Sequence, residues 1–93
     1  MNLIQHYING KIYKGSSSRK GKVFNPATGA QESEVILGTK SDLDHAVENA
    51  KIAFEKWSQV TPLQRARIIF KYKELIEKNY DELTKLIVSE HGK

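Results

Sequence analysis

The chain predicts an α+β fold: a small β hairpin or meander followed by three α-helices. Three observations carry that reading. An Asn9-Gly10 pair sits between the short stretches Tyr7-Ile8 and Ile12-Tyr13. From Ser41 onward the apolar residues recur at helical spacing. Helix-start signals at Ser41, Thr61-Pro62 and Asn79 then divide that stretch into three. Strands and turns are expected over residues 1–38 and helices over 41–92, within one partial domain.

Asn-Gly tolerates the positive φ angles of a type I′ turn, so Tyr7 to Tyr13 reads as a tight hairpin. Gly15 to Gly21 contains no apolar residue and is expected to be a flexible surface loop. Lys22-Val23-Phe24 is a short strand. In Asn25-Pro26-Ala27-Thr28-Gly29, Pro26 sets φ and Gly29 suits a left-handed angle, which makes a turn. Glu34 to Leu37 is a last extended piece, ended by Gly38.

Ser41, with Asp44 three residues on, resembles a capping box for the first helix. Leu43, Ala46, Val47, Ala50, Phe54 and Trp57 share one face of it. Thr61, Pro62 and Gln64 supply the N-cap, N1 proline and N3 amide of the second helix. Its apolar stripe, which includes Ile68, Ile69, Phe70, Tyr72, Leu75 and Ile76, is too wide for a single neighbour. Asn79, with Glu82 at N3, is expected to cap the third helix, and Gly92 to end it. A lone two-stranded hairpin is barely stable, and short strands leave open edges. The segment is therefore expected to pack on another part of a larger protein, with the chain stopping at Lys93 where a connection would begin.

Composition narrows the function classes. The chain is 39% apolar, and its longest apolar runs are about the length of Ile68-Ile69-Phe70, too short to span a bilayer. The N-terminus has neither a basic start nor an apolar core of the secretory kind, so a cytoplasmic protein is expected. With no cysteine, disulfides, thiolate metal sites and thiol nucleophiles are excluded within these residues. The net charge of +4 comes mainly from Lys11, Lys14, Arg19, Lys20 and Lys22. No nucleic-acid motif accompanies it, and acids and bases alternate along the helices, with pairs such as Glu74–Lys78 expected. Neither nucleic acid nor membrane is expected as a partner.

No chemistry emerges from the remaining residues. Ser16, Ser17 and Ser18 lie in the loop expected to be floppy. His6, His45 and His91 are scattered, with no i,i+4 pair, and read as solvent-facing. The glycines form neither G-x-G-x-x-G nor a P-loop. Phe54 and Trp57 read as core aromatics rather than a ligand platform. Arg65 and Arg67 read as pairing with neighbouring acids. No catalytic, cofactor-binding or metal-ligating residue is put forward.

The order of features nevertheless resembles a known family. Tyr7-Ile8-Asn9-Gly10-Lys11 is followed by Val23-Phe24-Asn25-Pro26-Ala27-Thr28-Gly29, then Ala46-Val47, Ala53-Phe54, Trp57-Ser58 and Arg65, and finally Glu90-x-Gly92-Lys93. This is similar to the N-terminus of the NAD(P)-dependent aldehyde dehydrogenases. The stretch from Arg65 to Ile76, with Asn79 and Leu83, resembles the CoA-acylating methylmalonate-semialdehyde dehydrogenases. The resemblance implies that the chain is part of an α/β cofactor-binding domain, its helices packing around a Rossmann-like sheet supplied by later sequence. It implies NAD and CoA as cofactors of the parent enzyme, which oxidises an aldehyde to an acyl-CoA through a cysteine thiolate. Cysteine, general-base glutamate and cofactor turn all lie downstream in that family, so none is carried onto a residue here. These residues alone are expected to be an inactive scaffold that binds no cofactor and whose partner is the rest of the parent chain. The alternative is a small helical module that self-associates through its apolar faces.

Overall fold

A computed structural model of the chain describes residues 2–93. Five short strands precede three helices: β1 (Asn2–Ile4), β2 (His6–Ile8), β3 (Lys11–Tyr13), β4 (Lys20–Phe24), β5 (Gln31–Ile36), α1 (Lys40–Trp57), α2 (Pro62–Lys78) and α3 (Tyr80–His91).

The Asn-Gly hairpin forms as expected. Asn9 and Gly10 take φ of 56° and 73°, and β2 pairs antiparallel with β3 in the register Tyr7↔Ile12. Alternation then gives the hairpin two faces. Tyr7 and Ile12 are exposed on one, while His6, Ile8 and Tyr13 are half-buried on the other.

The rest is not a meander. β5 lies between β1 and β4, parallel to β1 and antiparallel to β4, so the earliest and latest strands become neighbours. β1 was not expected from the sequence; three residues carry too little alternation to read, and their pairing with Ser33 to Val35 is a long-range choice. β4 also starts earlier than expected, because Lys20 and Gly21 pair with Ile36 and Val35; a Cβ on Gly21 would fit tightly, 3.2 Å from the Val35 side chain. The turn between them is as predicted. Gly29 has φ of 75° and donates to the Asn25 carbonyl at 2.8 Å, and the Asn25 side chain accepts from the Ala27 N–H at 2.9 Å.

Two helix starts differ from expectation. α1 is capped by Thr39 with Asp42 in a complete capping box, not by Ser41 with Asp44; Asp44 instead pairs with Lys40 at 2.9 Å. Asn79 does precede α3 but makes no capping bond. Its side-chain amide donates back to the Leu75 carbonyl at 2.7 Å, an acceptor that the Asn79 N–H also reaches at 3.1 Å. The start of α2 is as read, with Thr61 accepting from the Gln64 N–H at 3.2 Å and Pro62 at the first helical position. On α2 the ion pairs among the described residues are Lys71–Glu74 and Lys73–Glu77 in place of Glu74–Lys78.

The elements form a plate, 47 × 35 × 16 Å, with a radius of gyration of 16.9 Å. A compact domain of this length has a radius of gyration of about 12 Å. Helix–helix contact is sparse and mainly between α2 and α3. The only buried apolar side chain among the described residues is Ile36, at the end of β5. Phe54 and Trp57, expected in a core, are 66% and 39% exposed, because no other element among the described residues packs closely on α1. No helix among the described residues is long and apolar enough to cross a membrane.

Candidate functional site

The densest polar cluster joins the hairpin, the β3–β4 loop and the start of α1. At its centre is Asp42, 4% exposed. One carboxylate oxygen accepts the Thr39 N–H at 2.9 Å and the other the Ser16 N–H at 3.3 Å. The Thr39 hydroxyl accepts the Asp42 N–H at 3.2 Å and lies 3.3 Å from the Ser16 hydroxyl. The loop expected to be flexible is therefore tied down by a carboxylate 26 residues away. Gly15 makes this approach feasible: its φ is 76°, and a Cβ there would sit 2.7 Å from the Asp42 carboxylate. Arg19 fastens the far end of the loop by donating to the Gly38 carbonyl at 2.8 Å.

His6 reaches the same cluster from β2. It is half-buried rather than solvent-facing, and its Nε2 is enclosed, 3.9 Å from Asp42, with no hydrogen-bond partner among the described residues. A serine, a histidine and an aspartate thus share one corner, yet they form no proton relay. The His6–Asp42 separation is too long for a hydrogen bond, and the Ser16 hydroxyl faces Thr39. Nucleophilic catalysis needs both links. The cluster is a structural junction that fixes where α1 leaves the strands.

Its electrostatics give a pH dependence. The Thr39 N–H holds the Asp42 carboxyl below its ordinary value of 3.8; burial opposes this, while the Thr39 hydroxyl, the Ser16 N–H and His6 reinforce it. The ionised form is thus favoured in the folded chain. The junction's contribution is fully present above the unfolded value of 3.8 and is lost as pH falls through the lower folded value. Hydrogen exchange at the Ser16 and Thr39 amides is expected to lose protection across that acid window in the wild type, after correction for the intrinsic rate. An Asp42→Asn variant should show no such step.

The other candidates stay apart. His45 stacks on Tyr13 with ring centroids 4.5 Å apart, and His91 ends α3. Arg65 and Arg67 make no ion pair among the described residues, since no acid lies within reach on the first turns of α2. No group of three His, Cys, Asp or Glu among the described residues is placed to hold a metal ion. The Asn25–Gly29 turn and the Glu90–Lys93 ending, far apart in the sequence, do meet. Gly92, with φ of 75°, closes α3 against Pro26, where an added Cβ would lie 3.2 Å from the ring. Sequence reasoning missed Asp42 because it assigned the cap two residues too late. The signal that could have found it was Thr39-x-x-Asp42, a capping box of the same quality as the one chosen.

A hairpin leading into a three-stranded sheet with a parallel β1–β5 pair, then three helices whose apolar faces are uncovered, is a piece of a larger α/β architecture. The pattern of the aldehyde dehydrogenase family matches residues 12–93, and the chain belongs to that family. Among its relatives is malonate-semialdehyde dehydrogenase 1 of Shouchella clausii, 47% identical over 90 residues, covering 97% of this chain and 18% of the relative. Of solved structures, one from Sinorhizobium meliloti, described as a methylmalonate-semialdehyde dehydrogenase complexed with NAD, superposes with a TM-score of 0.94 at 41% identity. The methylmalonate-semialdehyde dehydrogenase of Oceanimonas doudoroffii superposes at 0.92 with 40% identity. Each comparison covers 98% of this chain and 18% of the solved chain. The five strands and three helices match the N-terminal portions of such enzymes. The chain spans about a fifth of their length.

Proposed function

We propose that these residues are the N-terminal structural part of an NAD-dependent, CoA-acylating dehydrogenase of malonate or methylmalonate semialdehyde. The observation that carries this is the match across nearly the whole chain, at 40–47% identity, to enzymes named for those semialdehydes. NAD is supported by the Sinorhizobium relative, whose structure is complexed with it. CoA acylation rests on the resemblance of the Arg65 to Ile76 stretch. The segment's task in the enzyme is positional. The Asp42 junction sets the angle between strands and α1, and the Gly92–Pro26 contact sets where the chain leaves α3. The chemistry belongs to residues beyond these.

Two assays test this together. The purified 93-residue chain, given malonate or methylmalonate semialdehyde with NAD and CoA, is expected to form no NADH. Grafted in place of the matching segment of the Oceanimonas enzyme, it is expected to leave the CoA-dependent oxidation running. NADH formation by the isolated chain, or a folded but inactive graft, would overturn the reading.

A further inference from the structure

Asn9 is the only non-glycine residue with positive φ among the described residues, and Gly10 follows it. That pair is open to a reaction of the chain with itself. The Gly10 nitrogen can attack the Asn9 side-chain carbonyl carbon. The Cγ–Nδ2 bond then breaks, and the amide nitrogen leaves as ammonia, taking up the proton that the Gly10 nitrogen gives up. Water opens the resulting cyclic imide at either carbonyl, giving aspartate or isoaspartate. No oxidant or reductant takes part. Glycine favours the closure because it has no Cβ to crowd the attacking nitrogen.

The structure separates the five asparagines of the chain. Asn25 precedes Pro26, which has no N–H, and its side chain is held between Glu32 and the Ala27 N–H, each at 2.9 Å. Asn49 and Asn79 donate their side-chain amides to the His45 and Leu75 carbonyls at 2.8 and 2.7 Å. Asn2 lies in β1, paired with Ser33, and precedes the branched Leu3. Asn9 alone combines a free side chain with an uncrowded glycine nitrogen. Neither its side chain nor the Gly10 N–H makes a hydrogen bond among the described residues, and a Cβ at Gly10 would meet nothing within 4 Å.

We propose that Asn9-Gly10 is a site of spontaneous deamidation, gated by opening of the β2–β3 hairpin and ending in a lasting release of that hairpin from α1. The gate is geometric. A type I′ turn is the mirror image of type I, so ψ at Asn9 is about 30°. For an L-residue this puts Cβ nearly opposite the Gly10 nitrogen across the Cα–C bond, and the reacting atoms cannot meet. Turning ψ to bring them together breaks the Ile8↔Lys11 pair that closes the loop. So short a ladder is the kind that opens locally. The release is chemical. In isoaspartate the main chain runs through Cβ and is longer by a carbon, so the tight loop no longer fits its turn. His6 then loses its place beside Asp42, and Tyr13 its stack on His45. The aspartate product keeps the turn, because Asp-Gly suits it as Asn-Gly does.

The test follows the tryptic peptide of residues 1–11 by mass spectrometry, with an isoaspartyl methyltransferase as the probe for isoaspartate. It compares the chain in strong denaturant, where no turn holds Asn9, with the folded full-length graft, whether or not that graft is active. The outcome therefore does not depend on the functional reading. In both, Asn9 is expected to gain isoaspartate before any other asparagine of the chain, about tenfold or more slowly in the graft. Exchange at the Lys11 amide should accelerate in the isoaspartate fraction of the graft and stay slow in an Asn9→Asp graft. In denaturant, where no fold is needed, Gly10→Ala should slow the reaction several-fold. Earlier modification of another asparagine would overturn the site, as would an intact Asn9 for as long as the graft stays folded. Equal rates in denaturant and graft would overturn the gate. Unchanged Lys11 exchange in the isoaspartate fraction would overturn the release, and an unchanged rate for Gly10→Ala would overturn the part given to the glycine.

Discussion

Purified by itself, the 93-residue chain is expected to lack a cooperative thermal transition and to bind a hydrophobic dye strongly. A well-packed domain of this length unfolds with an enthalpy of about 65 kcal/mol near 60 °C, because its side chains lose close packing all at once. Here a single apolar side chain, Ile36, is buried among the described residues. Phe54, Ile69, Phe70 and Ile87 are each more than half exposed. Helical hydrogen bonds and caps favour the secondary structure locally, yet helices of 12 to 18 residues are marginal in water without a packed face. The expected state therefore has helical far-ultraviolet dichroism, poor amide dispersion in nuclear magnetic resonance spectra and high dye binding. Calorimetry decides the matter: a sharp transition near the enthalpy above, from a monomer, would show that the plate is self-sufficient.

Gly15→Ala is expected to be the most damaging small substitution at the Asp42 junction. Two effects add. At φ of 76°, an alanine costs about 1–2 kcal/mol relative to its ordinary backbone conformations. The new methyl would also lie 2.7 Å from the Asp42 carboxylate, so the carboxylate must move off the Ser16 N–H. The helix start itself survives, because the Thr39 hydroxyl still caps it. In the full-length graft, exchange at the Ser16 amide should accelerate about tenfold or more, with smaller changes along α1. Gly10→Ala is the control: its φ is 73°, but a Cβ there meets nothing within 4 Å. Equal effects from both substitutions would show that backbone strain alone matters and that the close approach to Asp42 does not.

The features legible in the sequence were those set by near neighbours. Asn9-Gly10 specified its own turn, because few other pairs accept two successive positive φ angles. Thr61-Pro62 began a helix through bonds that span three residues. The candidate site was harder to see. Choosing between Thr39 and Ser41 as the cap depended on Ser16 and Gly15, which approach Asp42 from far along the chain. Asn79 carried a capping signal, but its side-chain amide turned back to the Leu75 carbonyl, which the Asn79 N–H also reaches at the end of α2. His6 read as a surface residue until β2 was laid against α1.

Local sequence is enough to set the kinds of elements and their order, the position of the tight turns, and the excess of apolar residues over what these helices can bury in one another. Each follows from local sterics, hydrogen bonds within a few residues, and periodicity. That β5 sits between β1 and β4, that Asp42 joins strands to helix, and that Gly92 closes on Pro26 are visible only in the folded chain. Those arrangements are selected among alternatives of similar local energy by long-range pairing and by the steric fit of particular glycines. No short window of sequence contains both partners of such a choice.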